Sequence, residues 1–409
     1  MSLDVLHERC CGLDLHKKSV TACRIVPGAD GRPSPEVRTF GTMTAELLAL
    51  GDWLEAGGVT HVAMESTGVY WKPVWNLFED RFELLLVNAA HVKVVPGRKR
   101  DVGDAAWLAE LLRHGLLRAS FVPDRPAREL RELTRYRSSL VRDRTAEVNR
   151  LQKTLEGANL KLASVVSDVT GVSARAMLAE LAAGSEDAAA LAALGRGQLR
   201  AKRDALAQAL TGQVSPHQRF MLAQHLAHID FLDEQIAAAG EEIAERLRPF
   251  EAELAILDSI PGIGAWSAQV ILAEIGPDMG RFPDEGHLAS WAGMCPGHDE
   301  SAGKRRSGKT RKGNPWLRVT LTEAAYAAGR GKDPYLSGRY GRLIGRKGRK
   351  KTAIAVGRTI LELCHTLLSS GQLYDPQQAR PAPVALTEEE RLVRRLQKLG
   401  HHVTLEPAA

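Results

Sequence analysis

Strand-forming sequence ends near residue 123, and nothing constrains the fold of this chain more. Residues 9–120 alternate short apolar runs with helical segments. CCGLDLH (10–16) and SVTACRIV (19–26) read as paired strands, and VRTFGTM (37–43) as a third. TAELLALGDWLEAG is an amphipathic helix with Thr44 as its cap, stopped at Gly57-Gly58. THVAMES and FELLLVNA are further strands, the second so apolar that it is expected at the sheet centre. DAAWLAELLRHG is a helix closed by Gly115. This order predicts an α/β domain with a mixed sheet over 1–123. From 124 to 250, Ala, Leu, Glu and Arg dominate. Leu222, Leu226, Ile229, Leu232, Ile236, Ile243 and Leu247 form a helical stripe, and Leu130, Leu133, Leu140, Val148, Leu151 and Leu155 an earlier, less regular one. Such stripes suit a helical hairpin within one chain or a coiled coil between chains. The Ala- and Gly-rich segment 184–198 is expected to turn the chain between them. Residues 251–370 read as short helices and loops in a mainly α domain. Residues 371–409 read as a Pro-rich flexible tail with one short helix.

Composition narrows the partners. Hydrophobic residues make up 44% of the 409, enough for sizeable cores. Aromatics are only 5%, which argues against base stacking as the main binding mode. The net charge of +6 is modest but clustered, and clustering points to nucleic acid. Five cysteines without a CxxC pair or framework spacing read as a reducing, cytoplasmic protein without structural zinc. No apolar run reaches membrane-spanning length and no signal-peptide pattern opens the chain. No nucleotide cofactor is expected.

Two stretches carry chemistry. In RKRDVGDA (98–105), Asp101 and Asp104 follow three basic residues at a spacing that places both on one helix face. Alone, such a pair is ordinarily a cap and a dipole complement. Asp14 in an apolar strand and Glu65 at a strand end change the balance. If the strands are neighbours and the helix packs over their ends, four carboxylates converge. Mg2+ suits such a set, since hard oxygen ligands and phosphate oxygens complete its shell. The second stretch is GMCPGHDESAGKRRSGKTRKGNPWLR (293–318). Six of nine residues from Lys304 to Lys312 are basic (Lys304, Arg305, Arg306, Lys309, Arg311, Lys312), spaced by Gly, Ser and Thr, a phosphate-binding mixture rather than an ordinary solvated run. Ser301 and Ser307 both stand there as potential nucleophiles, without GxSxG or a histidine fixed by spacing. Upstream, SIPGIGAWSAQVILAEIG resembles a helix–hairpin–helix. Its Gly262 and Gly264 form a tight turn that leaves helix N–H groups for a phosphate. Arg346, Lys347, Arg349 and Lys350 make a further backbone-tracking stretch.

Taken together, GLDLHKKSV, AMESTGVYWKPVW, RKRDVGDAAWLAELL, SIPGIGAWSAQVILAEIG and WAGMCPGHDESAGKRRSGKTRKGNPWLR resemble, in order, the DEDD transposases of insertion sequence one-ten, a family with relatives of one-eleven-eleven type. The resemblance covers residues 9–370. It implies a ribonuclease-H-like, Holliday-junction-resolvase-like catalytic domain over 1–123, with Asp14, Glu65, Asp101 and Asp104 as the metal-binding set. A coiled-coil region over 124–250 and a C-terminal transposase domain over 251–370 would follow. It also selects Ser301 over Ser307, because Ser301 shortly follows Gly293-Met294-Cys295-Pro296. The implied activity is excision and integration of an insertion sequence through a serine–DNA link. A structured, element-encoded non-coding RNA would pair with target and donor DNA, as in other guided systems. The implied partners are double-stranded DNA at element ends and target, that guide RNA, and further copies of the chain in dimers and synaptic tetramers. The implied place is the cytoplasm, at the nucleoid when acting. Arg100 departs from the small polar residue expected before the helix pair. Two other readings compete: a metal-dependent, structure-selective nuclease without a covalent intermediate, and a non-catalytic nucleic-acid-binding descendant, which would have lost a carboxylate.

Overall fold

The computed structural model describes residues 4–88, 92, 103–297, 299–301, 304–307, 309–310, 312–377, 392, 393 and 396; of 299–301 and 304–307 it describes the backbone. Most of the tail, with its expected short helix, lies outside the described residues. The chain forms two compact units, Met1–Arg125 and Pro126–Ala409.

In the first unit, β1 (Cys10–Leu15), β2 (Ser19–Pro27) and β3 (Pro33–Gly41) form an antiparallel meander. They are followed by α1 (Thr44–Ala56), β4 (His61–Glu65), α2 (Trp71–Phe78), β5 (Glu83–Val87) and α3 (Asp104–Arg113). The sheet order is β3-β2-β1-β4-β5, with β4 parallel to both β1 and β5. Alternation along each strand sends side chains to two buried faces. Leu13, Leu15, Val62, Met64 and Leu86 pack with Leu47, Leu50 and Leu54 of α1 and with Val74 and Phe78 of α2. On the other face, Cys10, Cys23, Ile25 and Ala63 pack with Ala105, Ala109 and Leu112 of α3. Burial there pushes the Cys10 thiol up to about 12 and that of Cys23 to about 11, so neither is a ready nucleophile.

Two expectations are corrected here. β5 ends the strand order instead of occupying the centre; among the described residues, a bridge from Val87 to Ala119 and the bond from Ser120 N–H to Leu86 O lie beyond it. Its apolar run reflects cover on both faces, a property an outer strand can share. Thr44 is not the cap of α1 but its first residue; Met43 holds the cap position without a side-chain bond.

Gly12 sets how closely α3 approaches the sheet. A Cβ there would lie 2.3 Å from the Ala105 carbonyl oxygen and 2.5 Å from the Ala109 nitrogen. Gly12→Ala is therefore expected to force α3 off β1 and cost about 1–3 kcal/mol. Gly341→Ala, where nothing lies within 4 Å, serves as the control. Equal melting temperatures for the two variants would contradict this close packing.

The second unit begins with two long helices, α4 (Arg125–Gly157) and α9 (Pro216–Leu247). Between them come α5 (Leu162–Val165), α6 (Val172–Ala183), α7 (Ala188–Ala193), a 3-10 turn (Gly197–Lys202) and α8 (Arg203–Leu210). Ser215 and Gln218 form a reciprocal capping box at the start of α9. α4 and α9 run antiparallel within the chain. Arg246 meets Glu129 at 2.9 Å, Arg144 pairs with Asp233, and His225 Nδ1 meets Glu147 at 2.6 Å. Burial pushes the Glu147 carboxyl up, but hydrogen bonds from His225 and Arg150 outweigh it and hold the group below its usual range.

The leucine stripes do not form one continuous coiled-coil seam. Leu151, Leu155, Leu222, Leu226 and Ile229 join a core with Met177, Leu181, Leu191 and Leu206 from α6–α8. Leu130, Ile243 and Leu247 join a second core, with Ile271, Leu321, Val356 and Ile360. An inserted helical group therefore takes one end of each stripe and the C-terminal part takes the other.

The C-terminal part consists of α10 (Glu251–Asp258), α11 (Ala265–Ile275), α12 (Glu285–Trp291), a hairpin of β6 (Asp299–Ser301) and β7 (Lys304–Ser307), α13 (Pro315–Arg330) and α14 (Leu336–Ser370). α14 runs over 35 residues, longer than the short helices expected, but Gly348 (φ 72°, ψ 164°) is non-helical, so α14 is two helices joined end to end. The break falls in the glycine-rich basic half; Leu336 on one side and Thr352, Val356 and Ile360 on the other are buried.

Candidate functional site: a carboxylate edge and a serine hairpin

Each unit contributes one half of the predicted chemistry, described here by itself. In the first unit the register decides what meets. β1 and β4 pair from Cys10↔His61 to Leu13↔Met64, so Asp14 and Glu65 are next in the same parallel register. Neighbouring strands lie about 4.8 Å apart. Both residues fall on the face that carries Cys10, Gly12 and Ala63, the face covered by α3. Cys10 lies against Ala109, and Gly12 reaches Ala105. Progress along β1 is thus progress toward the N-terminus of α3, and the next outward position on that face, Asp14, runs toward Asp104, the first residue of α3. Asp14 and Glu65 share one end of one sheet face, and Asp104 begins the helix that covers that face.

Asp101 lies outside the described residues. The expectation that both aspartates share a helix face lies outside the described residues with it; α3 starts at Asp104, after Gly103 in an extended conformation (ψ 153°). Among the described residues, no group of three or more His, Cys, Asp or Glu is close enough to hold a metal ion. The donor chemistry, all carboxylate oxygens at a partly open strand end, still fits a hard divalent cation. His16 escaped the sequence reading. Its Nε2 lies 3.2 Å from Asp14 Oδ2, and the only signal was its place two residues on, in GLDLH.

In the second unit the predicted serine loop is a β-hairpin. Ser301 pairs with Lys304 at its tip, whereas Ser307 pairs with Asp299 farther down. Below the strands, Pro296 bridges Thr310 and Gly297 N–H donates to Lys309 O at 2.8 Å. The legs close at Gly293 (φ 70°) and Gly313, which touch so tightly that a Cβ on Gly313 would lie 2.4 Å from the Ala292 oxygen. Lys304, Arg305 and Arg306 lie on β7, Lys312 is exposed, and Arg311 lies outside the described residues. Asn314 caps α13, accepting from the Trp316 and Leu317 N–H groups at 3.1 and 3.2 Å. That cap, with Pro315 after it, was a signal open to the sequence.

The helix–hairpin–helix reading places Gly262 and Gly264 between α10 and α11. Gly262 (φ 95°) packs on α13, 2.3 Å from Cβ position to Ala324 oxygen, while Gly264 opens α11 with no side-chain cap and nothing within 4 Å of its Cβ position. Arg346, Lys347 and Lys350 are exposed on α14, and the Arg349 guanidinium lies 5.0 Å above the Tyr326 ring.

Comparison with known proteins gives family matches in both units. The family model for DEDD transposases of the IS110 type, described as transposase, matches residues 11–160. A second, described as the transposase IS116/IS110/IS902 family, matches 254–341. The insertion element IS116 uncharacterized 44.8 kDa protein of Streptomyces clavuligerus is 28% identical over 334 residues, 72% of this chain and 80% of the relative. The insertion element IS110 uncharacterized 43.6 kDa protein of Streptomyces coelicolor is 28% identical over 313 residues, 71% of this chain and 75% of its own. A probable family 20 transposase of Pseudomonas aeruginosa is 27% identical over 328 residues, 77% and 86% of the two chains. The strand-end carboxylates fall inside the first match, and the glycine turn and serine hairpin inside the second. The chain belongs to the IS110/IS116 family of transposases.

Proposed function

We propose that this transposase excises and integrates its element through a Ser301–DNA link, with Asp14, Glu65, Asp101 and Asp104 as the metal-binding set. The observation that supports this reading is the adjacency of Asp14 and Glu65 in the parallel register of β1 and β4, on the sheet face covered by α3, which begins at Asp104. Those carboxylates would hold Mg2+, which supplies charge neutralisation at phosphoryl oxygens and favours ionised hydroxyls. In the chemical step the seryl oxygen bonds to phosphorus as a phosphorus–sugar oxygen bond breaks. The serine gives up its proton, and the departing sugar oxygen gains one. Lys304, Arg305 and Arg306, beside Ser301 in sequence, supply positive charge for the phosphoryl oxygens. The phosphoserine link conserves bond energy for rejoining, so no nucleotide cofactor is required.

The uncapped start of α11 at Gly264 and the exposed Arg346, Lys347 and Lys350 are suited to gripping phosphates irrespective of sequence. Sequence choice then falls to an element-encoded guide RNA, and the carboxylates of one copy act with the serine of another in a dimer or tetramer. The setting is cytoplasmic, at the nucleoid during transposition. Among the described residues, no helix is long and apolar enough to cross a membrane.

The test is an adduct assay. Protein, labelled element-end DNA, the flanking RNA and Mg2+ are incubated, denatured and resolved. A covalent band is expected from the wild type and from Ser307→Ala, and none from Ser301→Ala or without RNA. Cleaved DNA with no adduct, indifferent to Ser301→Ala, would replace this reading with a metal-dependent nuclease.

A further inference from the structure

A buried carboxylate stands beneath the serine hairpin. Glu274, in the last turn of α11, has a side chain with no solvent exposure. An ionised group withdrawn from water persists only where partners replace the lost hydration. Arg135 donates to both carboxylate oxygens, at 2.7 and 2.8 Å, a bidentate pair. Asn314 Nδ2 donates at 2.6 Å. Arg131 Nε stands 3.5 Å away and donates to the Ala273 carbonyl oxygen at 3.0 Å. Three elements, α4, α11 and α13, thus meet at one carboxylate.

What α13 carries gives the meeting its consequence. The Asn314 amide works at both ends: its oxygen caps α13 and its nitrogen binds Glu274. Asn314 directly follows Gly313, the glycine pressed against Ala292 and Gly293. One helical turn on, Arg318 donates to the Gly293 oxygen at 2.5 Å. Both legs of the hairpin are therefore fastened to the first turn of α13, and that turn is fastened to Glu274. On the same side, the Arg142 guanidinium of α4 lies 4.7 Å above the Trp316 ring.

The geometry points to Glu274 as a positioning residue: through Asn314 it sets where the hairpin, and with it Ser301, is held. This rests on the reading of Ser301 as nucleophile. Glu274 touches neither DNA nor the reacting atoms in this scheme, and α4 supplies the two guanidinium groups that face it.

The chemistry of the contact allows an exchange test in the full-length protein. Asn314→Asp keeps a good helix cap but turns the donor toward Glu274 into a second carboxylate. Glu274→Gln combined with it restores the contact with donor and acceptor exchanged, since the Gln amide donates to Asp while its oxygen accepts from Arg135. Amide exchange is read at Met294 and Gly297, whose N–H groups bond Ala289 O and Lys309 O. Single-turnover adduct formation, DNA binding and melting temperature are read beside it. Asn314→Asp is expected to speed exchange at the hairpin base roughly tenfold. Adduct formation should slow by roughly ten- to a hundredfold, while DNA binding stays at the wild-type level. The double variant should recover most of both losses. Wild-type exchange and adduct rates in Asn314→Asp, or a double variant no better than the single, would overturn the proposal. If the adduct survives Ser301→Ala, the serine reading falls, and the exchange rates alone decide whether Glu274 holds the hairpin.

Discussion

Asp14→Asn is expected to cut DNA strand cleavage by roughly a thousandfold while leaving nucleic-acid binding near the wild-type level. The change preserves shape and removes one negative charge. Asp14 is 31% exposed and Asp104 is exposed, so neither carries much of the core, and Asn at either position should leave the fold intact. The same neutralisation removes a ligand for a hard cation. A second readout follows that does not depend on activity. Mg2+ should raise the melting temperature of the wild type by preferential binding to the folded state, and this rise should shrink or vanish in Asp14→Asn and Asp104→Asn. Binding of element-end DNA, measured at fixed salt, separates lost chemistry from lost grip. Full cleavage by Asp14→Asn, or an undiminished Mg2+ shift, would remove the carboxylate edge from the mechanism.

Glu274→Ala carries the largest expected loss of stability. The substitution leaves Arg135 and Asn314 facing a void where a carboxylate took their hydrogen bonds, and it removes the ion-pair partner of Arg131. Breaking a fully buried pair from one side costs about 3–5 kcal/mol; Arg131 is 11% exposed but Arg135 38%, so the loss is expected at about 3 kcal/mol, the low end. For a unit of this size that corresponds to a melting temperature lower by roughly 10 °C. Glu274→Gln should lose less, since its oxygen still accepts from Arg135. Thermal denaturation of the three proteins checks both the size and the order of the losses. An Ala variant that melts with the wild type would mean that water reaches the arginines and the cluster is not sealed.

The two variants probe opposite kinds of site. Asp14, Glu65 and Asp104 are carboxylates gathered at an edge, where removing a charge should cost function and little stability. Glu274 is a carboxylate sealed among arginines, where removing it should cost stability first and function through the hairpin. A protein in which both lost activity and stability alike would not fit this division.

Short-range patterns made much of this molecule legible in advance. The alternation in CCGLDLH and SVTACRIV, the Gly57-Gly58 stop and the Gly115 closure of α3 all lie within a few residues of the structure they specify, so local sterics and hydrophobic period suffice to read them. Asp14, Glu65 and Asp104 were visible as candidates, because a carboxylate in or beside an apolar strand needs a reason. Their gathering on one face was not, since it depends on the parallel register of β1 with β4 and on the closeness of α3 that Gly12 permits. β5 was misjudged for a related reason: a residue run reports how much of a strand is covered, and the strand order is a matter of chain topology.

The second unit divides the same way. Periodicity in the leucine stripes announced long helices, but which core each leucine enters was decided by an insertion between them. The Gly-rich basic half of α14 carries poor helix propensity, and the helix breaks within it at Gly348. By itself the sequence determined the element types, the basic character of the hairpin segment and the residues able to do phosphoryl chemistry, because these follow from side-chain period and ionisation. Only the tertiary structure decided that Ser301 sits at a hairpin tip and that Glu274, 27 residues before it in sequence, lies at the root of that hairpin. The strength of such contacts depends on burial and on partners far away in the chain, and no local pattern encodes either.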